Sequence, residues 1–110
     1  MKSLNDQLKA VKDALVSVSE KTYHYEKPAT VKAPYIVWGE QGEADSFHSN
    51  NSKSEQQIEG WVDYYTQTEF DANIDEIQEA LNGICAWSLE SVQYEDETKL
   101  IHYAWLFRVI

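Results

Sequence analysis

The side chains capable of chemistry are few and scattered. His24, His48 and His102 lie far apart and no cysteine pair accompanies them, so the spacing of a metal-ligand set is missing. Cys85 is the single thiol, at the start of an apolar run beside Ala86 and Trp87. That setting suits a small buried side chain, whereas a nucleophilic cysteine needs a basic neighbour that the sequence does not identify. Asp75-Glu76 and Glu95-Asp96-Glu97 offer paired carboxylates for acid-base work, but adjacent acids on a helix or turn more often form a solvated face. Gly39-Glu40-Gln41-Gly42 is too short and too acidic to cradle phosphate, and neither a Walker A loop nor a GxGxxG motif occurs. The expectation is a protein without catalytic residues, cofactor or metal, and not an enzyme.

Trp38, Trp61, Trp87 and Trp105 each fall in a predicted strand. Trp38 and Trp105 sit among apolar neighbours and are expected in the core. Trp61 shares its strand face with Glu59 and Asp63, which marks it as a candidate contact residue, since Trp and Tyr are enriched at protein interfaces.

Local pattern places these residues on a simple series of elements. Leu4, Leu8, Val11, Leu15 and Val18 recur at helical spacing, with Ser3 and Asp6 resembling a capping box, and predict a helix over 4–19. A connector containing Pro28 and Pro34 follows, irregular apart from room for a short strand. Tyr35-Ile36-Val37-Trp38 predicts a buried strand. From Gln57 the residues Ile58, Gly60, Val62 and Tyr64 alternate with Glu59, Trp61, Asp63 and Tyr65, as in a half-buried strand. Asp71 or Asn73 can cap a helix over 72–82 whose inner side is Ile74, Ile77 and Leu81, with Gly83 as a left-handed stop. Cys85 to Tyr94 and Leu100 to Val109 predict a closing hairpin. Between the first two major strands lies a polar stretch, 40–56, with only Ala44 and Phe47 to bury, predicted to be a long mobile loop. The resulting fold class is α+β: one domain over 1–110, with two helices on a single antiparallel or mixed sheet of about four strands, in the order α-β-β-α-β-β.

A chain of 110 residues is one domain in length, and 43% hydrophobic content with four Trp and seven Tyr can fill its core. No uncharged apolar run approaches the roughly 20 residues that cross a bilayer. The opening Met1 to Asp6 lacks the apolar centre of a signal peptide, so the chain is expected to stay in the cytosol. The net charge of −10 is unevenly distributed. Residues 1–39 carry six Lys against four acids, whereas 40–80 carry eleven acids against Lys53 alone. Such a surface repels phosphate backbones, which argues against direct nucleic-acid binding.

The stretch Ala33-Pro34-Tyr35-Ile36-Val37-Trp38-Gly39-Glu40, a polar loop, and then Ile58-Glu59-Gly60-Trp61-Val62-Asp63-Tyr64-Tyr65-Thr66 resembles the tail-terminator, or tail-completion, proteins of long-tailed bacteriophages and prophages. Ile77-Gln78-Glu79-Ala80-Leu81 and the hairpin from Tyr94 to Trp105 extend the resemblance, which covers most of residues 33–107. It implies a non-enzymatic virion assembly protein. Such a protein forms a ring, typically a hexamer, that caps the tail tube, ends tail polymerisation and offers a surface to the head-tail connector or stopper. Its partners are copies of itself, the major tail tube protein and the connector; its location is the host cytoplasm during assembly and then the virion tail or head-tail junction.

The residues add physical arguments of their own. A long acidic loop lacks apolar material to fold alone but can order against a neighbouring subunit. The Lys-bearing first third of one copy complements the acidic middle of the next. The candidate subunit-interface or channel residues are Glu40, Glu43, Asp45, Phe47, Glu55 and Trp61. An acidic lining would let DNA pass without sticking. The alternatives are a head-completion or adaptor protein, an acidic binding module such as an inhibitor or DNA mimic, and a small carboxylate hydrolase.

Overall fold

The structure, a computed structural model, describes residues 3–44 and 56–109. Its elements are α1 (Leu4–Val18), β1 (Thr22–His24), β2 (Tyr35–Ala44), β3 (Gln57–Thr66), α2 (Ala72–Asn82), β4 (Cys85–Glu95) and β5 (Leu100–Val109). The strands form one mixed sheet in the order β1-β2-β3-β5-β4. β1 pairs with β2 in parallel, and the other pairings are antiparallel. The expected α+β architecture is present. Its fifth strand is the three-residue β1, lying in the connector.

Each helix begins where side-chain chemistry predicts. Ser3 caps α1 by accepting from the Asp6 amide at 3.0 Å, and Asp71 caps α2 by accepting from the Asn73 amide at 2.9 Å. The stripe Val11 and Leu15 is fully buried, with Leu8 and Val18 packed beside it. Leu4 instead stays 40% exposed. Gln7 takes an inner position, its amide nitrogen donating to the Gln56 carbonyl at 3.3 Å. Gly83 ends α2 at φ −78°, in the right-handed region, so it is not the left-handed stop expected of it. Here the helix ends through the Gly83 amide, which bonds the Leu81 carbonyl.

The core lies between the helices and one face of the sheet. Trp38, Trp105, Val62, Tyr64 and Ile36 are buried there against Ile77 and Leu81 of α2 and the α1 stripe. Gly60 permits the closest approach within the sheet: a Cβ at this position would meet the Gly39 carbonyl oxygen at 2.3 Å and the Phe107 ring at 2.4 Å. The long loop expected over 40–56 starts later than predicted. Glu40 to Ala44 continue β2, paired with β3 from Gly60 back to Gln57 across a bulge at Gln41, and Ala44 is buried. Pairing along the ladder satisfies backbone groups that a polar sequence gives no side-chain reason to order. Residues 45–55 of that expected loop lie outside the described residues.

Candidate functional site

The expected contact residues separate into distinct places. Glu40 lies in β2, where its carboxylate accepts from His24 Nε2 at 2.7 Å and from the Tyr25 hydroxyl. Burial alone would raise its pKa, but the hydrogen bonds from Tyr25 and His24 outweigh that effect and hold the carboxyl below its ordinary value. Glu40 therefore ties the end of β1 to β2 and does not project from a loop. His24 also stacks on Trp38, with ring centres 4.1 Å apart, so the clamp connects directly to the core. Glu43 is half-buried opposite Ile58 near the end of the β2–β3 ladder. Trp61 is half-buried against Gly39, whose missing Cβ leaves room for the indole; a Cβ there would come within 2.8 Å of the ring. Asp45, Phe47 and Glu55 lie outside the described residues.

Trp61 belongs to the sheet face turned away from the helices. Strand alternation and register place Trp61 beside Leu106, Glu59 beside Arg108, Asp63 beside Ala104 and Tyr65 beside His102 on that face. Arg108 bonds Glu59 at 2.7 Å, and Leu106 is 39% exposed. Tyr35, Tyr65 and His102 stack in a row, with ring centres separated by 5.0 and 4.3 Å. His102 sits between two carboxylates. Its Nε2 is 3.1 Å from Asp63, within ion-pair range though off the line of a hydrogen bond, and its Nδ1 is 3.8 Å from Glu95. Burial, with Asp63 nearby, pushes the Tyr65 hydroxyl up to about 12, so it remains a neutral donor. The sequence marks His102 as isolated because Asp63 and Glu95 stand on other strands; alternation along β3 and β5 is the signal that could have joined them.

The remaining reactive groups do not converge. The Cys85 thiol is half-buried and donates to the Leu81 carbonyl at 3.5 Å; burial pushes its pKa up to about 11, so it is protonated at neutral pH. A cavity of about 320 Å³ is bordered by Gln41, Glu59, Trp87 and Arg108, a mixed lining without a nucleophile-base pair. Among the described residues no group of three or more His, Cys, Asp or Glu could hold a metal, and no helix is long and apolar enough to cross a membrane. What this surface offers is aromatic area and fixed charge, the materials of protein recognition.

No family model matches the sequence, and no curated protein matches it. Among solved structures, a chain described as "Virion of native gene transfer agent (GTA) particle" matches with a TM-score of 0.54 at 12% identity, covering 96% of this chain and 88% of that one. The likeness extends over nearly the whole of both chains and is one of fold.

Proposed function

We propose that this chain is a virion structural protein of a bacteriophage or prophage, and within that class a tail terminator that caps the tail tube as a ring and forms part of the head-tail joint. The observation that carries the reading is the shared fold with a chain of a gene transfer agent virion across 96% of the sequence. Two features of the molecule support it. Charge is segregated along the chain, as suits a head-to-tail subunit contact. The helix-free sheet face carries half-buried Trp61, Leu106 at 39% exposure, and the half-buried Tyr65 and His102 stacked beside a buried Tyr35, a surface suited to partners. In this role the partners are other copies of the chain, the major tail tube protein and the head-tail connector. The acidic middle keeps transiting DNA from adhering. An adaptor at the same joint is the second reading, since the shared fold belongs to a virion particle as a whole.

Inactivating the gene in a producing strain tests the terminator role. The expected result is particles whose tail tubes lack a fixed length, with heads unattached, restored by supplying the chain in trans. Tails of normal length, joined to heads, would contradict it.

A further inference from the structure

Five strands spaced about 4.8 Å apart put the outer strand axes about 19 Å apart, whereas the axes of two packed helices lie only about 8 to 10 Å apart. α1 sits on the β1 side, where Thr22 Oγ1 donates to the Leu15 carbonyl at 3.4 Å. α2 sits over β5 and the start of β4, where Gln78 accepts from Trp105 Nε1 at 3.1 Å and Asn82 from Trp87 Nε1 at 2.8 Å. The outer strand β4 consequently keeps much of its helix-side face open. Leu89, Val92 and Tyr94 pair with Trp105, Tyr103 and Ile101 and so share the face of the core, yet they are 43%, 50% and 58% exposed. Phe70 extends the strip with 96% of its surface exposed, at φ 55°, a conformation bulky residues avoid. Val92, Tyr94 and Phe70 border an open cavity of about 490 Å³ floored by Ile101 and Tyr103.

We infer that this strip is covered by the outer face of α1 from a second copy of the chain. The inference rests on the subunit-ring reading above and specifies its contact. Charge selects the occupant. The rim of the strip is acidic: Glu69 borders the cavity, and Asp75 and Glu79 share helical spacing with Asn82 on the flank of α2 turned toward β4. Two such strips face to face would set acid against acid, which opposes a two-fold contact.

The cover must therefore carry cations, and the chain's Lys residues are concentrated before residue 40. On α1, Asn5, Lys9, Lys12 and Val16 form one exposed stripe, with Val16 40% exposed and Asp6 and Asp13 off it to one side. The bulge at Glu90 interrupts the free edge of β4 and disfavours strand addition, leaving the face as the docking surface. Strip and stripe are different parts of one chain, and in the ring each copy gives its strip to one neighbour and its stripe to the other, a head-to-tail contact.

Sedimentation of the full chain, alone and with tail tube protein, tests this contact through exposed charges that leave the core intact. Lys9→Glu with Lys12→Glu should raise the association Kd roughly tenfold, and Asp75→Lys with Glu79→Lys should do the same. All four changes together should restore association to within about threefold of the starting value. Circular dichroism melts check that each variant folds. Insensitivity to the Lys9/Lys12 pair, or failure of the fourfold variant to recover, overturns the contact. Loss of association in Leu89→Lys/Val92→Lys without sensitivity to Lys9/Lys12 assigns the strip to another occupant and also overturns it. A ring that ignores every variant refutes this contact and leaves the ring reading standing; a chain that stays monomeric, even on tube ends, refutes both.

Discussion

Asp71 shows how much one side chain contributes here. Its carboxylate caps α2 through the Asn73 amide and accepts from both Tyr64 Oη and Thr66 Oγ1 at 2.7 Å, joining the end of β3 to the start of the helix. Burial acts to raise its pKa, but the bonds from Tyr64, Thr66 and Asn73 outweigh this and depress it. Asp71→Ala removes a cap and leaves two hydroxyls seeking partners, and should destabilise the chain by about 2 kcal/mol in urea unfolding. The sign of the pH effect follows from the depressed value. The stabilisation is complete above the unfolded carboxyl's pKa of about 4 and is lost as pH falls through the lower folded value. Glu40 behaves alike. Asp71→Asn should therefore flatten the acid limb of the stability profile, and an unchanged limb would remove Asp71 from that role. Asp71 was legible, alongside Asn73, as one of two candidate caps. Its bonds to Tyr64 and Thr66, and the Glu40 clamp on His24 and Tyr25, were not, because strand pairing creates them between residues distant in the chain.

At the scale of elements, the helices, β3 and β5 were legible because their apolar residues follow a single period, and β4 was legible as an arm of the closing hairpin although the bulge at Glu90 shifts its period. Ile58, Gly60, Val62 and Tyr64 alternate into the core without interruption, and all four are buried. β1 was legible only as room for a short strand in the connector, and the second half of β2 was not legible. Thr22-Tyr23-His24 is too short for a period, and Glu40 to Glu43 hold no apolar residue, so their order comes from ladder partners on β2 and β3. The tightest point of that ladder gives a sharp test. Gly60→Ala would set a methyl 2.3 Å from the Gly39 carbonyl, and because backbone must move, a loss of about 3 kcal/mol is expected in thermal or chemical unfolding. A neutral outcome would mean that β2 and β3 separate more readily than their register implies. Trp105→Ala, which empties the centre of the core and frees Gln78, should cost about 3 to 5 kcal/mol.

For the whole molecule, charge is the feature that composition reveals most directly and folding organises further. Acids from 40–80 and from the β4–β5 turn stand against Lys residues of the first third. Contacts between such surfaces weaken with salt, so self-association should fall as ionic strength rises from 50 to 500 mM, where the Debye length shrinks from about 14 to about 4 Å. Association that strengthens with salt would point to a purely apolar contact. The sequence led to the expectation of a protein that acts through contacts. It could not indicate the open strip on β4, which exists because two helices do not span five strands. The most direct measurement is the mass of the purified chain by light scattering, with and without tail-tube protein, followed by electron microscopy of the tube ends. The account predicts a closed ring of copies, either free or seated on tube ends. A chain that remains monomeric under both conditions and leaves the tube ends bare would contradict it.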